Sequence, residues 1–339
     1  MKIGLAYDLK EDISLGQGQP EDALEEYDSR ETVKGIAGVL QSLGHEVIQL
    51  GGGREFLTKA LQNRVDFVFN IAEGRGTFRS REAQVPAVLE MLDVPYTGSD
   101  PQCLTVCLDK PLTKQLVAIA GVPTPKWQVI TSSQQIEQTN WDGFHFPVFV
   151  KPAYEGSSKG IRLSSYFDKP SVLAPGIASL LECYHQPVMA EEFITGDEVT
   201  VGIVGNATPA VLGIMRILPR AKTPLFIYSL EVKRDWENLV DYECPARLDE
   251  GVLREIRRVS LKAFAVLGCR DFARLDFRVS PEGIPYFLEI NPLPGLNPKS
   301  GDLVIMAKKS GWSYEALISA ILSAARARYH NAGNSSHCL

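Results

Sequence analysis

The chain has 339 residues, of which 45% are hydrophobic and 22% are charged, and its mean hydropathy is −0.05; this composition is that of a globular protein with two or three domains. The formal net charge of −6 argues against nucleic-acid binding as the main function. No run of about 18 apolar residues is present, so no membrane span is predicted. The N-terminus predicts a strand rather than a signal peptide, which indicates a cytoplasmic protein.

The first hundred residues alternate between strand and helix patterns. A capping-box sequence begins at Asp28, the apolar residues after it repeat at helical spacing, and Gly44 ends the helix. This alternation predicts a doubly wound parallel sheet with helices on its faces. The three glycines at 51–53 fit neither a P-loop nor a GxGxxG loop and predict a plain turn. Strands are predicted at 3–8, 46–50 and 66–72, and a short helix at 84–92.

The next part of the chain contains a loop rich in glycine and hydroxyl groups. The loop, 152–160, follows a predicted strand at 147–151 and precedes one at 161–164. Backbone amides, serines and a lysine in such a loop suit a lid over a triphosphate, although it is not a Walker loop. A flexible hairpin tip explains the same composition. A helix is predicted before this loop at 109–121, where Gly121 and Pro123 end it.

The remaining elements belong to a region of strands followed by helices. The charged segment 218–241 predicts a long mobile loop of the kind that closes over a site. The tail 331–339 predicts disorder. Strands are predicted at 188–194, 198–204 and 209–217, and helices at 253–267 and 312–326.

Six cysteines, at 103, 107, 183, 244, 269 and 338, form no CxxC pair, and no histidine stands at zinc spacing from them. Cys103 and Cys107 would share a helix face, where small apolar side chains are the usual explanation. We therefore predict reduced thiols. None of the five histidines is assigned a catalytic role.

The most informative segment is a predicted hairpin that begins at Arg274. If residues 282–283 form a two-residue turn, Asp276 lies opposite Glu289 and Arg274 lies opposite Asn291. Because side chains alternate along a strand, these four polar groups share one face. The other face would carry the apolar residues Leu275, Phe277, Leu288 and Ile290.

Two carboxylates and an amide oxygen on one face suit Mg²⁺ or Mn²⁺. The adjacent arginine indicates that an anion comes to the metal, as in phosphoryl transfer. A solvated charged face explains the hairpin alone equally well. The segment 292–298 contains three prolines and cannot continue the strand, so a rigid loop leaves the sheet beside the carboxylates. Its N–H groups would suit an oxyanion.

These motifs, taken in order, resemble the ATP-grasp superfamily and within it the D-alanine–D-alanine ligases, over roughly 95–322. Each motif is weak alone, and the ordered set at compatible spacing is specific. The matching segments are 95–99 at the end of a first domain, 109–114, 150–158 with its glycine–serine loop, 191–198, 274–277, 289–291, and Pro294-Gly295 with Ser300.

The resemblance implies an α/β fold that becomes α+β in its C-terminal half. A doubly wound N-terminal domain at 1–108 would be followed by two α+β subdomains, at 109–192 and 193–330, that clasp ATP, with a disordered tail at 331–339. It also implies ATP and two Mg²⁺ ions, with Mn²⁺ as a substitute, and makes a homodimer plausible.

The resemblance further implies site residues. Lysines at 110, 151 and 233 would neutralise the phosphates of ATP, and a carboxylate substrate would be converted to an acyl phosphate that an amine attacks. The implied nucleotide-binding residues are Lys110, Lys151, Ser158, Glu191, Glu192, Ile194, Glu198 and Lys233. The implied metal ligands are Asp276, Glu289 and Asn291, and the implied catalytic residues are Arg274, Gly295, Ser157 and Lys233.

The first domain departs from the family pattern. The family's ammonium-binding glutamate is not identified within 9–16, and its His-Gly motif is replaced by a segment that contains Glu73, Arg81 and Glu82. This segment is either a recast substrate pocket or a solvated loop. The lid carries Arg234 where the family has tyrosine, and Asn297 stands where it usually has threonine. An arginine in the pocket would favour an acidic or larger substrate. The candidate substrate residues are Glu73, Arg81, Arg234 and Ser300.

We therefore predict an ATP-dependent carboxylate–amine ligase that acts on small amino-acid-like substrates and forms a dipeptide-like amide. One alternative is a true D-alanine–D-alanine ligase with a divergent first domain. A second alternative is a nucleotide-binding protein without turnover, which the set of lysines together with Arg274 argues against, because a binding protein has no need of that arginine.

Overall fold

The computed structural model describes residues 1–16, 18–223 and 225–335 of the chain. Within these ranges the chain forms three separate sheets with helices packed on them. The strands are β1 (Lys2–Ala6), β2 (Glu46–Gly51), β3 (Phe67–Asn70), β4 (Trp127–Ile130), β5 (Val148–Pro152), β6 (Tyr166–Phe167), β7 (Val188–Glu192), β8 (Asp197–Val204), β9 (Ala210–Pro219), β10 (Val240–Glu243), β11 (Phe272–Val279) and β12 (Pro285–Asn291). The helices are α1 (Arg30–Ser42), α2 (Gly53–Gln62), α3 (Gln84–Met91), α4 (Pro101–Leu108), α5 (Lys110–Ile119), α6 (Ser133–Gln138), α7 (Leu173–Tyr184), α8 (Leu230–Arg234), α9 (Trp236–Leu239), α10 (Glu250–Val266), α11 (Asp302–Lys309) and α12 (Tyr314–Ser335).

The N-terminal sheet is parallel, with the order β2-β1-β3. The apolar stripe of α1 packs on one face, together with side chains from α11 and α12 at the far end of the chain. The opposite face is covered by α2 and α3 through Phe56 and Leu89. Both faces of the sheet are thus covered by helices, which confirms the predicted doubly wound arrangement.

The two later sheets are antiparallel and confirm the α+β character of the C-terminal half. The central sheet has the order β4-β7-β5-β6 and is covered by α7. The larger sheet has the order β10-β9-β8-β11-β12. Helices α5 and α10 pack on one of its faces, where Val117 and Val259 meet Leu275. The exact division into domains stays a prediction.

Glycines on neighbouring strands let α11 approach the larger sheet closely. Gly202 and Gly213 lie opposite each other in β8 and β9. A Cβ on Gly202 would lie 2.6 Å from Leu303, and one on Gly213 would lie 2.8 Å from Met306. Any larger residue at these positions would push Leu303 or Met306 out of its present position. The contact fixes α11, and with it Asp302 at its first turn, beside the β11–β12 hairpin.

The hairpin pairs Asp276 with Glu289 and Arg274 with Asn291, as predicted. The route to this register differs from the prediction. Val279 pairs with Pro285, so the turn is one residue longer than predicted, and a bulge between Asp276 and Phe277 restores the register.

The bulge changes which side chains reach the core. Phe287 is fully buried and contacts Phe277 edge to face, with 5.9 Å between the ring centroids. Leu288 instead lines a cleft between the central sheet and the larger sheet, which we call the large cleft. The prediction that Leu288 faces the core was wrong because a bulged strand does not keep strict alternation.

Three other predictions need correction. Residues 161–164 do not form a strand; a 3-10 turn covers Leu163–Ser165, and the next strand, β6, begins at Tyr166. The segment 218–241 is no continuous loop, because α8, α9 and the start of β10 lie within it; residue 224 lies outside the described residues. The predicted disorder of the tail is wrong for 331–335, where α12 continues, and 336–339 lie outside the described residues.

Among the described helices, none has both the length and the apolar character that crossing a membrane requires.

Candidate active site

The large cleft lies between the central sheet and the larger sheet. Strands of both sheets and the short helix α8 supply its walls. Its polar residues include Lys151, Ser158, Glu191, Glu192, Glu198, Lys233, Asp276 and Glu289, and its apolar residues include Phe149, Phe193, Ile194, Ile217, Ile227 and Leu288. Most of the predicted nucleotide-binding residues therefore share one cleft.

Two lysines hold one glutamate in this cleft. Glu191 Oε1 lies 2.5 Å from Lys151 Nζ, and Glu191 Oε2 lies 2.8 Å from Lys114 Nζ. Burial would raise the pKa of Glu191, but the two lysines lower it, so this carboxylate stays ionised. Burial lowers the pKa of Lys114 to about 8. The group keeps one net positive charge, which suits a phosphate. The sequence prediction missed Lys114, although it lies one helical turn after Lys110.

A second ion pair spans β8 and β11. Glu198 lies opposite Arg278, whose Nη1 donates to Glu198 Oε2 at 2.8 Å. The Arg278 guanidinium also stacks over Phe193, with 4.4 Å to the ring centroid. Burial raises the pKa of Glu198, although Arg278 opposes that shift. The prediction missed Arg278, although it continues the alternation of Arg274 and Asp276 along the same strand.

Three further residues that were predicted to bind the nucleotide line the same cleft. Glu192 Oε1 accepts a hydrogen bond from the backbone N–H of His145 at 2.8 Å. Ile194 contributes apolar surface to the cleft. The Nζ of Lys233 lies 5.1 Å from the ring centroid of Tyr228, and helix α8 places it at the cleft.

The hairpin brings together three oxygen donors. Asp276 Oδ1 accepts from Thr200 Oγ1 at 2.7 Å, and Asp276 Oδ2 accepts from Arg274 Nη2 at 2.8 Å. Glu289 Oε2 lies 3.3 Å from Lys110 Nζ. Asn291 Oδ1 accepts from a backbone N–H at 2.8 Å in the following loop, which fixes its amide.

The state of Glu289 suits a hard cation. Burial would raise its pKa, but Lys110, Lys151, Lys233 and Arg274 outweigh that effect and lower it to about 2. Its carboxylate is therefore ionised at every physiological pH. Ionised carboxylates with an amide oxygen form the donor set that Mg²⁺ and Mn²⁺ prefer, so the residues present fit such an ion.

Arg274 is fixed from its other side by residues that the sequence prediction missed. Its Nη1 lies 3.5 Å from Asp302 Oδ2. The hydroxyl of Tyr228 donates to Asp302 Oδ1 at 3.2 Å and lies 2.6 Å from the hydroxyl of Tyr242. Because Asp276 and Asp302 both hold the guanidinium, Arg274 has a fixed position at the end of the hairpin.

The glycine–serine loop adopts an unusual backbone at its centre. Ser157 and Ser158 have φ values of 50° and 59°, in the left-handed region that non-glycine residues rarely adopt. Two such residues in succession mark a functional segment. Ser158 lines the large cleft, whereas Ser157 lines a smaller chamber.

We call this smaller space the reaction chamber. It is lined by residues from three parts of the chain and lies beside the β11–β12 hairpin. Its polar lining residues are Glu82, Lys110, Glu155, Ser157, Glu289 and Asn291, and Cys107, Leu108, Gly156, Ile290 and Pro292 complete it.

The glycine–serine loop is tied to the N-terminal part of the chain. Lys159 Nζ lies 2.9 Å from Glu26 Oε2. The backbone N–H of Gly160 donates to Asp22 Oδ2 at 2.9 Å, and the hydroxyl of Tyr184 donates to the same carboxylate at 2.8 Å. The loop is therefore held over the reaction chamber.

Arg81 is completely buried and its charge is already balanced. It donates to Glu26 through Nε at 3.1 Å and Nη2 at 2.7 Å, and to Glu155 at 3.1 Å. It also donates to the carbonyl oxygen of Tyr154 at 3.0 Å. Arg81 therefore offers no free charge to a substrate, which corrects the expectation that it would favour an acidic one.

Two other candidate substrate residues, Arg234 and Ser300, lie apart from this network. Arg234 is exposed and donates to Glu25 at 2.8 Å. Ser300 is exposed, and its N–H donates to Asn297 Oδ1 at 3.1 Å. Gly295, in the same loop, is exposed. Asn297 ties this loop to the start of α1 through its amide, which lies 3.2 Å from Ser29 Oγ.

Four carboxyl groups surround the Arg81 network, and we call them the acidic cluster: Glu26, Asp28, Glu73 and Glu82. Burial raises the pKa of Glu82 to about 7 and that of Asp28 to about 7. Burial and the neighbouring carboxylates raise the pKa of Glu73 well above its usual range. Glu82 Oε2 is buried and has no hydrogen-bond partner among the described residues.

Comparisons with known proteins agree with this architecture. The family described as D-ala D-ala ligase C-terminus matches residues 116–323. A D-alanine–D-alanine ligase of Aquifex aeolicus (strain VF5) is 36% identical over 87% of this chain and 94% of that protein. The crystal structure of a D-alanine–D-alanine ligase from Bacillus anthracis, complexed with ATP, has a TM-score of 0.73 at 23% identity and covers 97% of this chain and 99% of its own. The VanG D-Ala:D-Ser ligase of Enterococcus faecalis has a TM-score of 0.71 at 19% identity, with 96% and 99% coverage.

Two antiparallel sheets enclose a lysine-lined cleft, and a hairpin with two carboxylates lies at the end of that cleft. This arrangement is that of an ATP-grasp enzyme of the ligase class, which forms carbon–nitrogen bonds. Within that class, the chain belongs to the D-alanine–D-alanine ligase family.

Proposed function

We propose that this enzyme couples ATP hydrolysis to the joining of a carboxylate to an amine, through an acyl phosphate, on two amino-acid-like substrates. The observation that carries the proposal is the position of the reaction chamber. It places the Glu289–Asn291 end of the hairpin, Lys110 and the glycine–serine loop directly beside the acidic cluster. A chamber with cations for phosphate on one side and carboxyls for an ammonium on the other suits such a reaction.

ATP would lie in the large cleft. Its adenine would contact the apolar wall that includes Ile194 and Phe193, near Glu192, and its ribose hydroxyls would reach Glu198. The net positive charge of Lys114, Lys151 and Glu191, together with Lys233 and Lys110, would neutralise the phosphates as point charges. The N–H groups around Ser157 and Ser158 would cover the terminal phosphate.

Asp276, Glu289 and Asn291 would hold magnesium, and we propose two ions. The metal would supply charge neutralisation to the transferring phosphoryl group. Lys110 is placed to hold Glu289 in position, and Thr200 is placed to do the same for Asp276.

Bond formation begins when the first substrate's carboxylate oxygen attacks the γ-phosphorus and ADP leaves. The second substrate's amine then attacks the acyl carbon, and phosphate leaves. Arg274, which Asp276 and Asp302 hold in place, and the Gly295 N–H would stabilise the tetrahedral oxyanion. Ser300 would complete the loop that cradles the reacting carboxyl.

The acidic cluster would serve the amino groups. Glu73 and its neighbours would hold the ammonium of the first substrate. Glu82 is the member of the cluster that lines the reaction chamber, and it would accept the proton that the attacking amine must lose. A carboxyl with a pKa of about 7 is suited to that transfer near neutral pH.

The second candidate is a true D-alanine–D-alanine ligase, because relatives that carry this name cover most of the chain. The divergent segment around Glu73 and Arg81 favours a different first substrate, still an amino acid because the cluster is acidic. We further propose a cytoplasmic homodimer that acts on small molecules rather than nucleic acids, with domains at 1–108, 109–192 and 193–330. The net charge of −6 supports the exclusion of nucleic acids.

The experiment is phosphate release from ATP and Mg²⁺ with single and paired D- and L-amino acids. Turnover with D-alanine alone would establish the second candidate. Turnover only with another pair would support our proposal and make residues 73–84 the selector. Amino-acid-independent binding of ATP without turnover across the panel would contradict both.

A further inference from the structure

Three cysteine sulfurs meet in the core, next to the reaction chamber but outside the machinery described above. Cys103 and Cys107 lie one turn apart on α4, and Cys269 lies in the connection between α10 and β11. The Cys103 sulfur is 3.8 Å from that of Cys107 and 3.5 Å from that of Cys269, and all three lie within 4.8 Å of one another. Each side chain is buried.

These distances match those of a metal–thiolate centre. With metal–sulfur bonds of about 2.3 Å, three sulfurs around one ion in a plane are about 4 Å apart. The sulfurs already stand near this separation, so binding requires only small side-chain rotations. The rigid helix α4 fixes two of the ligands, and a separate segment supplies the third.

The ligand set also selects a kind of ion. No other His, Cys, Asp or Glu oxygen or nitrogen joins the three sulfurs within the described part of the chain. Structural zinc sites are closed by four protein ligands, whereas Cu⁺ is stable with three sulfur ligands, and soft thiolates select it. Val117 and Leu267 belong to the same apolar cluster as the three cysteines, so the surroundings of the sulfurs are largely apolar.

The site has an entry path. Cys103 and Cys269 also line a surface cavity, together with Asp100, Gln102 and Arg270. Cys107 faces the opposite side and lines the reaction chamber. An ion can therefore reach the sulfurs from the surface, and its place lies between that surface and the chamber.

We propose that Cys103, Cys107 and Cys269 form a three-sulfur site for one Cu⁺ ion. Each thiol that binds releases its proton to solvent, and no oxidant or reductant is needed. Because the site joins α4 to the connection before β11, the bound ion would hold the first domain's last helix against the strand that carries Arg274 and Asp276.

The test uses a full-length background variant in which Cys183, Cys244 and Cys338 are replaced by serine, so that only the three cluster thiols remain. Cu⁺ is added anaerobically as its acetonitrile complex, and excess ion is removed with a chelator. The site predicts one copper per chain, an ultraviolet thiolate-to-copper charge-transfer band, and X-ray absorption with three sulfur neighbours.

The background variant with Cys107→Ala should lose the band and bind at least tenfold more weakly. Alanine is preferred to serine because a buried hydroxyl would lack a partner. Circular dichroism of this variant checks its fold. Absence of the band in the background variant itself would overturn the proposal, and so would retention of one tightly bound copper in a folded Cys107→Ala variant.

Discussion

Two carboxyl groups that line the same chamber have pKa values shifted in opposite directions. Glu289 contacts Lys110 and has a pKa lowered to about 2 by the surrounding cations, against the effect of burial. Glu82 lies deeper, one of its oxygens lacks a partner among the described residues, and burial raises its pKa to about 7. Such a difference suits two roles for two chemically similar groups, and we propose a permanent anion for metal at Glu289 and a proton acceptor at Glu82.

The first prediction concerns the permanent anion. Glu289→Gln should lower kcat by roughly 10³-fold or more, because a neutral amide removes one charge that holds magnesium at the phosphates. Phosphate release at saturating ATP measures this. Glu282→Gln, an exposed glutamate at the turn of the same hairpin, is the matched control and should keep full activity. Full activity in Glu289→Gln would remove this residue from the metal site.

The second prediction concerns the proton acceptor. In the wild type, kcat/KM for the attacking amine should rise as pH increases through about 7, because only the deprotonated Glu82 accepts a proton. Glu82→Gln should lower kcat roughly 10²-fold and flatten that part of the pH profile. Rates measured from pH 5.5 to about 8.5 with saturating ATP decide the matter. A profile in Glu82→Gln that rises as in the wild type would show that another group carries the proton.

At the scale of elements, the hairpin shows how a correct register can arise from an incorrect turn. The polar alternation of β11 was enough to predict that Asp276 faces Glu289. The extra residue in the turn shifts the pairing by one residue, and the bulge shifts it back before Asp276 and Glu289 are reached. The error therefore affects only residues nearer the turn, such as Phe287 and Leu288. A sequence pattern does not reveal a bulge, because the pairing partner decides whether a residue is skipped.

The exchanged roles of Phe287 and Leu288 give the third prediction. Phe287→Ala should lower the free energy of unfolding by about 3–5 kcal/mol, because it empties a buried aromatic site. Leu288→Ala should cost under about 1.5 kcal/mol, since this side chain is only partly buried, and should instead raise KM for ATP severalfold. Urea unfolding and ATP titrations measure the two effects. Equal destabilisation by both changes would contradict the bulged register.

Elements with strong local signals could be predicted, and those that depend on partners could not. Helix α1 carries its own cap and periodicity, although Ser29 rather than the predicted Asp28 caps it. The strands of the first sheet carry their own apolar pattern. The segment 218–241 was predicted as a loop because charged residues and prolines mask its short helices. Packing of Val232 and Trp236 against side chains of the larger sheet stabilises these helices.

On the scale of the whole molecule, long-range contacts decide the site. Arg81 meets Glu26 and Glu155, which lie 55 and 74 residues away in sequence. The first sheet packs against α12. The sequence could place Glu73 and Arg81 in one segment, but it could not show that Arg81 is neutralised, because both of its partners lie far away along the chain. The pairing of the β11–β12 hairpin, whose residues are close in sequence, was predictable, whereas the long-range contacts of Arg81 were not.

The acidic cluster lowers the free energy of unfolding of the whole chain as pH rises, and Asp28 illustrates this effect. Burial raises its pKa from 3.8 to about 7 in the folded protein. A carboxyl whose pKa is raised by folding favours the folded state below its unfolded pKa, and this contribution is lost as pH rises through the folded pKa. Between pH 6 and pH 8, Asp28 should therefore lower the free energy of unfolding by about 1.4 kcal/mol.

The isosteric change Asp28→Asn isolates this contribution. The side chain of the variant cannot ionise, so its free energy of unfolding relative to wild type should increase by about 1.4 kcal/mol when urea unfolding is measured at pH 8 instead of pH 6. Because the other groups titrate in both the wild type and the variant, their contributions cancel in this difference. Asp93→Asn, at the exposed end of α3, is the control and should show no such change. A wild-type-to-variant difference that is the same at both pH values would mean that Asp28 titrates normally and that the cluster tolerates its charge.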